Sequence, residues 1–148
     1  IDWTYYKGRY VFGVEDDASR KILSLIEHIS PTTKASIEGM LEAIQEGKIK
    51  QCISDHGSQF IKQVGMNSKF KAFLEEQGIK QILCGIQNPK SNGKIEKWFD
   101  TYKKHRHAFK TKEEFLYWYN EVRPHRALKF EILETPQQAF IRKMKAEV

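Results

Sequence analysis

The chain has 148 residues, 40% hydrophobic, 12% aromatic and 30% charged, which is the composition and length of one globular domain with a substantial core. No apolar run approaches the 18 or so residues of a membrane span, no secretory leader is visible, and two cysteines, Cys52 and Cys84, are too few for a zinc site or a disulfide scaffold. The net charge of +6 falls wholly in residues 90–148, where fourteen Lys and Arg face eight Asp and Glu; a polyanionic partner is the natural reading.

Residues 1–6 (IDWTYY), 9–15 (RYVFGVE) and 21–29 (KILSLIEHI) are rich in β-branched and aromatic side chains and are separated by short breaks at Lys7-Gly8 and at 16–20, so they read as an antiparallel meander. Ser30-Pro31 opens a helix whose buried stripe is Ile37, Met40, Leu41 and Ile44, and Gly47 stops it. A fourth strand over 49–54 ends at Asp55. A helix from about 67 to 77 follows, with Phe70, Phe73 and Leu74 inward and Gly78 as its stop, and then a fifth strand over 79–84.

A turn cluster (GIQNPKSNG, 85–93) precedes a helix with Ile95, Trp98, Phe99 and Tyr102 at i, i+3, i+4 and i+7. At about 100° per residue Glu96 stands beside that stripe, and Lys103 falls at nearly the same angle two turns on. Thr111 with Glu114 is a capping box ahead of Phe115, Trp118, Tyr119 and Val122; Pro124 ends that helix, and Thr135 with Gln138 caps the last one. Trp98, Trp118 and Tyr119 at helical spacing read as core. Glu15, Asp16 and Asp17 read as a hairpin tip, with Arg20 pairing locally.

Three antiparallel strands followed by two parallel strands across helical crossovers predict an α/β domain: a five-stranded mixed sheet with helices on both faces, in ribonuclease H-like order. The whole of 1–148 forms that domain, with the helices of 111–146 an extension of it. Asp2 then lies in a central first strand, Asp55 at the carboxyl end of the fourth, where open sheets place ligands, and Glu96 just past the fifth. The three acids are 53 and 41 positions apart, yet that topology can bring them together. Oxygen-only ligands select a hard ion, Mg²⁺ or Mn²⁺, and two such ions suit phosphodiester chemistry.

These stretches carry a resemblance. IDWTYY, VEDDASRKIL (14–23), SDHGSQF (54–60) and NPKSNGKIEKW (88–98) resemble the catalytic core of DDE transposases and retroviral-type integrases, and WYNEVRPHRAL (118–128) with TPQQAF (135–140) resembles the end of insertion-sequence transposases. The resemblance implies a catalytic metal triad of Asp2, Asp55 and Glu96, with Asp2 bridging both ions. It also implies DNA contact near Lys97 and Lys103, and Lys90, Lys94 and Lys104 join them as basic residues beside the site. Its other implications are hydrolysis and 3′-hydroxyl strand transfer on element-end and target DNA, a homodimer or higher oligomer, and a cytoplasmic, nucleoid-associated, prokaryotic-like setting. A nuclease or resolvase without strand transfer, or an inactive DNA-binding assembly domain, are the alternatives. The sequence departs from the family in a 40-residue gap between Asp55 and Glu96 and in His56, where Asn is commoner.

Overall fold

A computed structural model describes residues 1–61, 68–84 and 92–146. The element order is β1 (Asp2–Tyr6), β2 (Arg9–Glu15), β3 (Ile22–His28), α1 (Thr33–Glu46), β4 (Gln51–Ser54), α2 (Lys69–Glu76), β5 (Lys80–Leu83), α3 (Gly93–His105), α4 (Lys112–Tyr117) and α5 (Pro136–Ala146). Every predicted strand and helix is present. Boundaries differ by up to three residues, because side chains set them: α1 opens not at Ser30-Pro31 but after Thr32, whose hydroxyl caps it by accepting from the Ala35 amide, and Ser68 caps α2 by accepting from Lys71.

The β1–β2 turn is tight because Lys7 (φ 47°) and Gly8 (φ 82°) both occupy the left-handed region, as a two-residue hairpin of right-handed twist demands. β1 pairs antiparallel with β2 (Asp2 opposite Gly13) and β2 with β3, while β4 pairs in parallel with β5. The predicted single five-stranded sheet is thus corrected to a three-stranded and a two-stranded sheet, with β1 at an edge of the first. A ladder needs repeated backbone bonds, and among the described residues the line of β1 meets β4 in one, from the Ile1 amino group just ahead of β1 to the Ile53 carbonyl at 2.9 Å.

Alternation along β2 sends successive side chains to opposite faces and so builds two cores. Phe12 and Val14, with Ile26 of β3, pack against Ala35, Met40 and Ala43 of α1 and Phe70 and Leu74 of α2. Val11, Ile22 and Leu25 pack on the other face against Ile95, Trp98, Phe99 and Tyr102 of α3 and Phe115 and Tyr119 beyond it. α1 approaches the sheet through small residues, since a Cβ on Gly39 would stand 2.5 Å from the Phe12 ring. That rotates the predicted stripe: Met40 is buried, whereas Leu41 is 44% exposed.

The free edge of β3 is closed by side chains from the C-terminal part. The buried Asn120 amide exchanges two hydrogen bonds of 2.9 Å with the Ile22 backbone, and Lys112 Nζ donates to the Leu25 carbonyl at 2.9 Å. To deliver Asn120, the helix begun at α4 widens to a π-turn over Trp118–Val122, which leaves Val122, expected inside, 52% exposed. Both predicted capping boxes form: Thr111 and Glu114 bond reciprocally, as do Thr135 and Gln138.

Candidate functional site

Asp2 opens β1 and is half-buried. Its Oδ1 accepts from the amide of Trp3 at 2.7 Å and its Oδ2 from Asn92 Nδ2 at 3.2 Å. Asn92 stands at the N-cap of α3 but makes no capping bond; its side chain turns to Asp2 instead. Sequence reasoning placed Asn92 only in a turn cluster, and the one available hint was an N-cap asparagine four positions ahead of Glu96.

Asp55 follows β4 directly. Its Oδ1 accepts from the Gly57 amide at 2.9 Å, a local turn that fixes the carboxylate at the strand's end. The next residue braces the neighbouring strand: the His56 ring Nε2 lies 2.8 Å from the Cys84 carbonyl, and the Cys84 amide donates to Ser54 at 2.8 Å. Glu96 sits exposed in the first turn of α3, where the helix dipole favours a carboxylate.

These three carboxylates share one field. Burial pushes the Asp2 carboxyl up to about 6 despite the Trp3 amide bond, and the charges of Asp55 and Glu96 push it the same way, against the Ile1 amino group. The donor set there is oxygen alone, the chemistry of a hard divalent cation. Among the described residues no three His, Cys, Asp or Glu side chains stand close enough together to hold one ion.

Of the basic residues, Lys94 Nζ is held by Asp17 Oδ1 at 2.5 Å and also reaches the Asp17 carbonyl, so Asp17 pairs with α3 rather than with Arg20. Asp16 serves the turn itself, its Oδ2 accepting from the Ser19 amide and hydroxyl. Lys97 and Lys104 are exposed on α3 and Lys103 is partly buried. Lys90 and most of the 85–93 loop lie outside the described residues.

The frame holding α3 is a second polar cluster, unforeseen from the sequence. Glu27 of β3 accepts from Tyr102 OH at 2.7 Å, from Arg106 Nε at 2.7 Å and from Arg9 Nη1 at 3.1 Å. Those donors hold the Glu27 carboxyl below its usual range against the cost of burial. At the helix's other end Trp98 seats on Gly13, the residue paired with Asp2. Both ends of α3 are therefore referenced to the sheet that carries Asp2.

Comparison with known proteins finds no matching family model. In sequence the chain is 28% identical over 149 residues to the candidate integrase ORF3 of Spiroplasma virus SpV1-C74; the match takes in 84% of this chain and spans 41% of that relative's length. In structure it is similar to the catalytic core domain of BIV integrase, with a TM-score of 0.77 and 17% identity over 99% of this chain and 94% of the other. It is also similar to a chain of the simian T-cell lymphotropic virus intasome in complex with PP2A regulatory subunit B56 gamma, with a TM-score of 0.75 and 18% identity over 93% of this chain and 51% of that one. Element order and these likenesses agree on the fold: the chain is folded like the catalytic cores of retroviral integrases.

Proposed function

We propose that this chain is a DNA integrase or transposase catalytic domain that hydrolyses a phosphodiester and joins the freed 3′-hydroxyl to target DNA, using Mg²⁺ or Mn²⁺. What supports the reading is the likeness to a viral integrase and to integrase catalytic cores, together with an all-acid set, Asp2, Asp55 and Glu96, at the ends of three separate elements. Asp2, Asp55 and Glu96 are the residues that would hold the metal. Bound there, it would activate the attacking oxygen and stabilise the departing one.

The chain's own residues supply the rest. Asn92, by holding one Asp2 oxygen, orients that carboxylate. The Gly57 amide does the same for Asp55. Lys97, next to Glu96, and Lys103 and Lys104, about two turns past it, offer cations to the DNA backbone, and Lys94 can join them only by leaving Asp17. Lys90 completes that proposed set. DNA is the partner, and pairwise processing of two DNA ends is the reason to expect a homodimer or higher oligomer. Among the described residues no helix is long and apolar enough to cross a membrane.

The test uses the purified chain, Mn²⁺ titration calorimetry and a branched or pre-cut 3′-hydroxyl DNA substrate. The wild type should bind Mn²⁺ and join or resolve strands. Asp55→Asn and Glu96→Gln should lose joining by more than about 10³-fold while keeping the wild-type melting temperature. Full activity in Asp55→Asn ends the assignment. Hydrolysis without joining would transfer the domain to the nucleases, and undiminished Mn²⁺ binding in Glu96→Gln would remove that residue from the site.

A further inference from the structure

The β4–β5 ladder continues one rung past its two strands, and a side chain makes that rung. In a parallel pair a bonded residue gives its amide to the residue before its opposite number and takes, on its carbonyl, the amide of the residue after it. Lys80, opposite Gln51, donates to the Lys50 carbonyl at 3.1 Å. Cys84 follows the Ser54–Leu83 pair, which sets it level with Asp55, and its amide donates to the Ser54 carbonyl at 2.8 Å. By the same register the Cys84 carbonyl is due the backbone amide of residue 56.

That amide makes no such bond. Asp55 turns the chain out of the strand, its Oδ1 accepting from the Gly57 amide at 2.9 Å, and the Gly57 carbonyl then takes the amides of Phe60 at 2.9 Å and Ile61 at 3.1 Å. Among the described residues no backbone amide bonds the Cys84 carbonyl. The His56 ring does, with Nε2 at 2.8 Å. A carbonyl oxygen only accepts, so in the neutral ring Nε2 carries the proton and Nδ1 is bare. Half-buried Asp55 is therefore tied to β5 through both its neighbours, Ser54 before it and His56 after.

We propose, on the reading of Asp55 as a metal-holding residue given above, that His56 is its positioning residue: the imidazole stands in for the missing backbone rung and fixes the Asp55 carboxylate against the end of β5. Turn and ladder make opposite demands on the backbone of residue 56, and a side-chain donor of the right reach satisfies both. Reach is the selective feature. Glutamine carries its amide nitrogen as many bonds from Cα as histidine carries Nε2, whereas asparagine falls one bond short. His56 is exposed, so replacing it opens no cavity in the core.

The metal-free chain is measured first. Nitrogen-resolved NMR at about pH 8, above the ordinary imidazole range, should show His56 as the Nε2–H tautomer, and an Nδ1–H ring overturns the proposal. Mn²⁺ titration calorimetry then compares His56→Asn and His56→Gln with the parent. Binding should weaken about 10–100-fold in His56→Asn and less than about threefold in His56→Gln, both melting within about 4 °C of the parent. Equal weakening in the two variants overturns the role. So does parent-like binding in His56→Asn, even with a lowered melting temperature, since the bond would then be a strand brace alone. A parent chain that binds no Mn²⁺ overturns the reading of Asp55 and this role together, whereas binding lost in Asp55→Asn but kept in His56→Asn overturns this role only.

Discussion

Gly13 offers the sharpest test of how the fold holds the candidate site. A Cβ added there would lie 2.5 Å from Trp98 Cζ3, 3.1 Å from Trp98 Cε3 and 3.2 Å from Ile95 Cδ1. The indole is 1% exposed and enclosed by Phe99, Tyr102 and Tyr119, so it can yield only by moving α3. Overpacking of this kind costs about 1–3 kcal/mol. At about 2–4 °C per kcal/mol for a domain of this size, Gly13→Ala should lower the melting temperature by roughly 2–12 °C. Trp98→Phe removes the offending ring atoms and also the buried indole N–H, which makes no hydrogen bond among the described residues. The double variant should therefore recover part of the loss, a coupling of about 0.5–3 kcal/mol by thermal or urea unfolding. Because Glu96 lies two residues before Trp98 and Asp2 pairs with Gly13, the strand joining proposed above should fall in Gly13→Ala even at temperatures where it is fully folded. An unchanged melting temperature, or strict additivity in the double variant, would refute the claim that α3 is seated by this contact.

Two pH dependences follow from buried groups away from the site. Glu27 has a carboxyl pKa below its unfolded value, set by Arg106 and Tyr102, so its stabilisation is present above about pH 4.3 and is lost as the pH falls through the lower folded value. Glu27→Gln should flatten that acid limb of a stability-against-pH curve; an unaltered limb would show that the cluster contributes nothing. His125 behaves oppositely: burial, then the charges of Arg123 and Arg20, push its imidazole down to about 4. The unfolded chain then binds that proton first, and stability drops between about pH 6.5 and 4 with no contribution above. His125→Asn, which can still accept from the Ala127 amide as Nδ1 does at 3.1 Å, should remove that drop in urea titrations, and a drop of the same size in the variant would assign it elsewhere.

Local chemistry made most of the elements legible. The Lys7-Gly8 turn, the two capping boxes and the 3.6-residue stripe of α3 depend on near neighbours along the chain, and Ile95, Trp98, Phe99 and Tyr102 are all buried as that stripe requires. The spacing of Asp2, Asp55 and Glu96 against the strand ends proposes a triad, whereas among the described residues no three His, Cys, Asp or Glu side chains stand close enough together to hold one ion.

What the sequence could not supply were relations fixed by three-dimensional approach. The rotation of α1 that exposes Leu41 follows from how closely Gly39 lets the helix meet Phe12. The turning of Asn92 away from its own helix toward Asp2, 90 positions distant, needs the two brought together first. So do the Lys94–Asp17 pair and the clasp of Asn120 on Ile22. The division into two sheets belongs to the same class. A ladder forms only where two backbones run side by side for several residues, and among the described residues one hydrogen bond links the line of β1 to β4, a fact of packing that no pattern of side chains along the chain encodes.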